Sequence, residues 1–439
     1  MHRDGGSSDG RYHPTRRWST VKVNMNKRHT EQNRRKEKQR KERWEPQTRL
    51  GKAGCLIAVN IAWILFFSFI LTQPSILKAE LREVQGKTNY DTIVVGDSHG
   101  ETAVDPAVLD KELGTTSFNC SRRIMPVKDI YYLMREVCYH NQPKTILYEI
   151  DPTYWRIPGI SLGNDTSIFF AGSDPKNRLD YFFNEMLTQP FPNFIADYRL
   201  APRNASQILG TVYVRLRPSY WRHGEETIPM IMKALYLGAN YEYKGRGFRY
   251  GHSYSLHMDT LYKPVKFKVS KIVPENIEYF HKMAEFCKSK GIRLVCFYSA
   301  LPPYRLLREN ENAANKYYTD LCKKEGVEFY DMNYLKKEYL DRTDMDYVDL
   351  DGHMMGRLGD RQTKVLAKIL SSDDPSSMFV DSYDVVLKDL PKDEATSGSV
   401  LLKEARRYEK KKREETERAL DSPEVTETSY ADPAEADTL

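Results

Sequence analysis

The stretch Thr92-Ile93-Val94-Val95-Gly96-Asp97-Ser98-His99-Gly100 decides how this chain is read. Residues 92–95 are uncharged and mostly β-branched, and they run into Gly-Asp-Ser ahead of a helix-compatible segment. That order reads as a buried strand whose carboxyl end carries a serine to the rim of a sheet. In open α/β sheets the rim is where ligands bind. Ser98 is there either as a nucleophile or as the cap of the next helix. The surrounding chain has to decide between them.

Strand and helix signals alternate on both sides of a long interruption. Residues 105–113 fit a helix ended by Gly114, 117–119 a short strand, 127–140 a helix and 145–150 another strand. The rhythm resumes with helices over 274–290, 310–324 and 358–370 and strands over 292–298 and 327–331. Such alternation predicts an α/β fold, a doubly wound and mostly parallel sheet with helices on both faces and right-handed crossovers. Residues 151–270 break the pattern, with helical spacing over 177–187, 205–216 and 228–237 and then a Gly/Tyr-rich run over 240–254. We read them as a helical insertion beside the strand ends, a lid or substrate platform. Trp155, Tyr220, Trp221, Tyr241, Tyr243 and Tyr250 are its candidates for stacking on sugars, although packing is the commoner role for any one of them.

Upstream, the 439-residue chain carries its charge unevenly. The net charge is +6, yet residues 1–52 hold 16 Lys and Arg against 6 Asp and Glu, so the remainder is slightly acidic. Residues 1–53 have too few apolar side chains to build a core and read as a basic segment that is either disordered or a solvated helix. A basic run can bind nucleic acid, but residues 54–72 (GCLIAVNIAWILFFSFILT) follow it at once. Nineteen nearly all apolar residues match a bilayer core of roughly 30 Å at 1.5 Å per residue. The segment is expected to be one N-terminal transmembrane anchor, with the basic block on the cytoplasmic side and everything after residue 78 outside. Nucleic acid is thereby excluded as a partner, and the membrane itself is one.

Of six cysteines, Cys55 falls in the anchor and five lie beyond it, with no metal spacing and no close-set disulfide framework. Cys287 and Cys296 flank a helix-to-strand turn and are either a pair or free buried thiols. No cofactor and no metal is expected. Residues 373–439 lose apolar periodicity, include the charged run 403–418, and read as a flexible tail.

A serine hydroxyl needs a base to take its proton, and the base needs a third group to orient it. Residues 346–355, Asp-Tyr-Val-Asp-Leu-Asp-Gly-His-Met-Met, form an acid-rich loop just before the last helix. Loops after successive strands gather at one edge of a doubly wound sheet, so His353 is placed to face Ser98. Gly96-Asp97-Ser98 after a first strand, with an Asp…His pair before the final helix, resembles the SGNH/GDSL hydrolase superfamily, a three-layer, flavodoxin-like fold. The stretches GDSHGETAVDPAVLDKELG, SFN and IYYLMREVCYHNQPKTILYEI are more specifically similar to its membrane-anchored members, those of teichoic-acid D-alanylation and exopolysaccharide O-acetylation. The resemblance covers residues 91–150 and 291–370.

The resemblance implies Ser98 as nucleophile and His353 as base. Its acid usually stands three residues before the histidine, but Leu350 is there, and Asp349 and Asp351 flank it. We favour Asp349, because Asp351 adjoins Gly352 in a tight turn. The usual oxyanion glycine of the second block is also missing, since Asn119 is followed by Cys120-Ser121-Arg122-Arg123. Asn119 as a side-chain donor and the backbone near Cys120 are the substitutes.

The expected organisation is a basic cytoplasmic segment (1–53), an anchor (54–72), an extracytoplasmic SGNH-like domain (78–372) and a tail. The expected function is a membrane-anchored serine esterase or O-acyltransferase acting on acyl esters of cell-surface polysaccharide or teichoic acid. By resemblance its partners are the glycopolymer and a membrane-embedded O-acyltransferase. The alternative is a catalytically weak SGNH-like scaffold that binds glycan or docks an assembly.

Overall fold

A computed structural model of the chain describes residues 30–38, 49–71, 74–86, 89–159, 168–188, 205–222, 224–234, 240–254 and 264–390, with residues 400, 403, 407 and 410. The chain divides into two units, residues 1–68 and 69–439. Residues 30–38 of the basic segment are helical. Helix α1 (Arg49–Leu71) contains the stretch Gly51–Leu71, which is long and apolar enough to cross a membrane and is not buried.

Among its described residues the second unit has seven strands, β1 (Thr92–Val95), β2 (Ser117–Asn119), β3 (Thr145–Glu149), β4 (Tyr241–Gly245), β5 (Phe248–Gly251), β6 (Arg293–Tyr298) and β7 (Glu328–Asp331). Five of them form a parallel sheet in the order β2-β1-β3-β6-β7. With the β4–β5 hairpin set aside this is a doubly wound order, in which the chain reverses direction across the sheet between β1 and β3. A crevice opens at such a switch point, outside the carboxyl ends of the two strands.

Side chains alternate across the sheet with a period of two. Ile93, Val95, Ile146, Tyr148 and Cys296 enter one core, while Val94, Leu147, Val295 and Phe297 enter the other. The first core is covered by α2 (Ile76–Val84), by Val127–His140, Pro274–Lys290 and Glu311–Glu325. The second lies under Pro106–Leu113 and Gly356–Ser371. Burial on both faces is why these strands read as continuous apolar runs, each buried Val or Leu contributing about 1.5–3 kcal/mol.

Three features differ from the sequence reading. The interruption is not a detached lid in its described parts, because Trp155, Ile168, Tyr181 and Met186 join the first core. Its helices include Pro175–Asn184, Ala205–Leu216 and Ile228–Ala234; positions 235–237 of the last predicted helix lie outside the described residues. The Gly/Tyr-rich run is a hairpin laid along the sheet edge, where the Asn119 amide donates to the Arg246 carbonyl at 2.9 Å. Finally, the globular unit starts before residue 78, with Ile76 and Leu77 buried, and continues past residue 372. Met378 and Val386 dock onto the body, and the Val380 amide donates to the Tyr334 carbonyl at 2.8 Å. Apolar residues that dock singly leave no periodicity to read. Most of the charged run 403–418 lies outside the described residues, and the six cysteines carry free thiols.

Candidate active site

The site begins at the turn from β1 into α3 (Ser98–Ala103). Asp97 caps the helix by accepting from the His99 amide at 2.8 Å, and Ser98 is the first helical residue, only 8 % exposed. Gly96 lets this turn press on β3, since a Cβ there would lie 2.7 Å from the Cβ of Glu149. The Tyr154 side chain, from the turn after β3, lies beside Ser98.

The second half is the loop before the last helix. The Val348 amide donates to the His353 carbonyl at 2.7 Å, which folds residues 349–352 into a tight turn. Inside it the Asp349 carboxylate accepts from the Gly352 and His353 amides at 3.1 and 3.3 Å. It also faces His353 Nδ1 at 2.8 and 3.0 Å. Gly352 has φ of 120°, a left-handed conformation that favours glycine, and it passes close to His99. The Met354 amide then donates to Thr102 Oγ1 at 3.1 Å, tying the loop to the helix that Ser98 opens. The rings of His99 and His353 meet edge to face at 5.1 Å. The His353–Asp349 pair is thereby held against the helix that Ser98 opens, at the carboxyl end of β1 beside the switch point. Asp351 stands at the edge of this group, its half-exposed carboxylate 3.5 Å from Arg305 and within 4.8 Å of ring nitrogens of His99 and His353.

Burial works against a charged His353, but the charge and hydrogen bond of Asp349, reinforced by Asp351 and Glu101, lift its pKa to about 9. His99 goes the other way. Burial and the neighbouring His353 lower it, although Asp151 stands 3.4 Å from its Nδ1. Beneath the serine turn, burial and then the charge of Asp151 raise Glu149 to about 8, and burial together with Asp151 and Glu149 holds Asp97 well above the usual carboxylate range. For Asp351 the effect of burial is outweighed by Arg305, His99 and His353, which hold it low.

Asn119 and Cys120 are placed differently from the donors expected of them. The Asn119 side-chain amide donates to the carbonyls of Gly100 and Val104 at 2.8 and 2.9 Å. The Cys120 amide donates to Val94 at 2.7 Å, extending the sheet, and the Ser121 and Arg122 amides are engaged by Asn119 Oδ1 and the Gly96 carbonyl. These groups hold the loop after β2 against α3. The Ser98 amide remains as a first-turn donor that its own helix cannot use.

A cleft of about 320 Å³ adjoins the site, lined by Pro152, Thr153, Arg156, Tyr298, Arg305 and Asp351 among others. Of the aromatic candidates, Trp155 is fully buried against Phe280 and Tyr318, Tyr220 is also buried, and Trp221 is exposed. Sequence reasoning missed Tyr154, Asp151 and Glu149. Their signal was available, since Glu-Ile-Asp-Pro-Thr-Tyr closes the strand next to β1. Two sets of side chains bring potential cation ligands within 4.8 Å of one another, His99 with Asp351 and His353, and Asp97 with His99 and Asp151. Both need His99. In the first it would compete with the His353–Asp349 pair, and in the second Asp97 is engaged as a helix cap.

The chain matches no protein-family model, and no curated protein is significantly similar to it.

Proposed function

We propose that this protein is a membrane-anchored serine esterase or O-acyltransferase of the SGNH type, acting outside the membrane on acyl esters of a surface polysaccharide or teichoic acid. The observation that carries this reading is the buried His353–Asp349 pair, 2.8 Å apart and clamped through Met354 to the helix that begins with Ser98. Asp349 orients the imidazole through Nδ1, which leaves Nε2 as the base. Neutral His353 takes the Ser98 proton as Oγ attacks the acyl carbon. The donor C–O bond then breaks, and its oxygen leaves with the proton from His353. A polymer hydroxyl or water, deprotonated by the same histidine, resolves the acyl-serine. The Ser98 amide is a donor for the oxyanion. The basic block before α1 supports a cytoplasmic N-terminus, and a membrane-embedded acyl donor is the corresponding partner.

One observation favours the second reading, a scaffold that binds glycan without turnover. The amides of Cys120, Ser121 and Arg122 are engaged in the fold, and this loop supplies the oxyanion site with little. Labelling the full chain with a fluorophosphonate separates the two. The enzyme reading expects a Ser98 adduct that vanishes in Ser98→Ala and falls roughly 10³-fold or more in rate in His353→Ala. A folded protein that gives no adduct selects the scaffold.

A further inference from the structure

The helix Ala205–Leu216 packs one face onto the body and leaves the other bare. Its Val214 joins a buried cluster with Ile76 and Ala79 of α2. On the opposite face Leu209, Tyr213 and Leu216 are 71, 51 and 67 % exposed, and Trp221 just beyond is 52 % exposed. Spacings of four and three put the first three on a single stripe.

One cation lies over this stripe and others cluster about the same helix. The Arg217 guanidinium lies 4.5 Å from the centre of the Tyr213 ring. Lys78 sits among Arg82, Arg178 and Arg215, and burial followed by those three charges lowers its pKa. So many like charges close together favour an anionic neighbour.

The position of the stripe identifies that neighbour. Arg215 donates to the Phe69 carbonyl at 3.0 Å, and its guanidinium lies 5.8 Å from the Phe69 ring. Phe69 stands in the last turn of the apolar helix α1 and belongs to the same unit as Arg215. From Leu71 to Ile76 the chain takes five steps, no more than roughly 18 Å. The stripe is therefore held near the point where the apolar helix ends.

We propose that Leu209, Tyr213, Leu216 and Trp221, with Arg217 over Tyr213 and the cluster of Lys78, Arg178 and Arg215 near the same helix, form a docking face for the headgroup layer of an anionic bilayer. The inference rests on α1 crossing that bilayer. The apolar side chains enter the acyl boundary and the cations meet lipid phosphates, as in interfacial amphipathic helices. A soluble polyanion would satisfy the cations alone, and an apolar protein surface the stripe alone. Docking also fixes the height of the candidate site, because Glu80 of α2 pairs with Arg122 at 3.3 Å and Arg122 pairs with Glu101 of α3 at 2.6 Å.

The test uses the full chain in vesicles of phosphatidylcholine, with and without phosphatidylglycerol. Tryptophan quenching by brominated lipids is compared between wild type and Trp221→Phe, the difference isolating Trp221. Docking expects quenching by lipids brominated near the glycerol end, stronger with phosphatidylglycerol. Replacing Lys78 or Arg178 by Gln should weaken docking roughly five-fold per charge on anionic vesicles and leave neutral ones unchanged. Leu209→Ser with Leu216→Ser, both at exposed positions, should abolish the Trp221 component. If the protein floats with the vesicles while Trp221 is quenched only by aqueous acrylamide, docking is wrong and the anchor stands. If it does not float with them, both fail. Protection of Trp221 that follows protein density rather than anionic lipid assigns the face to another protein and also overturns the proposal.

Discussion

His353 Nδ1 lies 2.8 Å from Asp349 Oδ2, four residues earlier in the same loop. Asp351, only two residues before the histidine, instead faces Arg305. The two acids therefore have separable roles. Asp349→Asn should lower ester turnover by about 10³–10⁴-fold, because the amide presents the wrong partner to Nδ1. Asp351→Asn should retain most of the rate at high pH. Comparing kcat/KM for an aryl ester in the two variants checks this, and equal losses would refute the assignment.

The pH profile follows from the pKa of about 9 at His353. A general base works in its neutral form, so turnover should rise with pH along a limb centred near 9. Removing the Asp351 charge destabilises the imidazolium, and Asp351→Asn should move the limb to lower pH. Folding stability has the opposite slope. The folded pKa lies above the ordinary value of 6.5, so the stabilisation from the charged pair is complete below pH 6.5 and is lost as pH rises through 9. Thermal melts of wild type and Asp349→Asn should accordingly converge across that window.

Glu149 carries a proton in the folded state up to about pH 8, whereas its unfolded carboxyl ionises near 4.5. Between those values each pH unit removes about 1.4 kcal/mol of stability. Glu149→Gln keeps the neutral shape without the proton. It should match wild type near pH 5 and be the more stable protein at pH 8, as read from denaturant midpoints at the two values. A variant less stable than wild type at pH 8 would show that the charged carboxylate is needed.

Gly96→Ala places a Cβ where only 2.7 Å separates it from the Cβ of Glu149. Neither strand can yield without breaking the β1–β3 ladder, whose register puts Val95 opposite Tyr148. Overpacking of this kind costs about 1–3 kcal/mol. The urea midpoint should fall, and the rate of Ser98 labelling should fall with it as the turn is displaced.

Much of this protein was legible in short stretches of sequence. The β1 run, the helix over 127–140 and the strand expected over 145–150 and found at 145–149 were readable because periods of 2 and 3.6 are local properties. Alternation then implied a parallel sheet, and its switch point lies where Ser98 stands. The candidate serine and histidine were readable for the same reason, each set in a distinctive local motif. What lay beyond local reading was the direction in which side chains point. Asn119 looked like an oxyanion donor until the approach of α3 supplied two carbonyls for its amide. Trp155 looked available to a sugar until two helices closed over it.

Sequence by itself determined the α/β plan, the apolar helix and the two motifs that bear Ser98 and His353. Only the tertiary structure decided between Asp349 and Asp351, and it brought Tyr154 and Glu149 to the serine. The physical reason is that the chain folds back through Gly352, with φ of 120°, so that Asp349 accepts from the Gly352 and His353 amides and meets Nδ1. Where that loop sits depends on a helix some 250 residues earlier, whose Thr102 Oγ1 accepts from the Met354 amide.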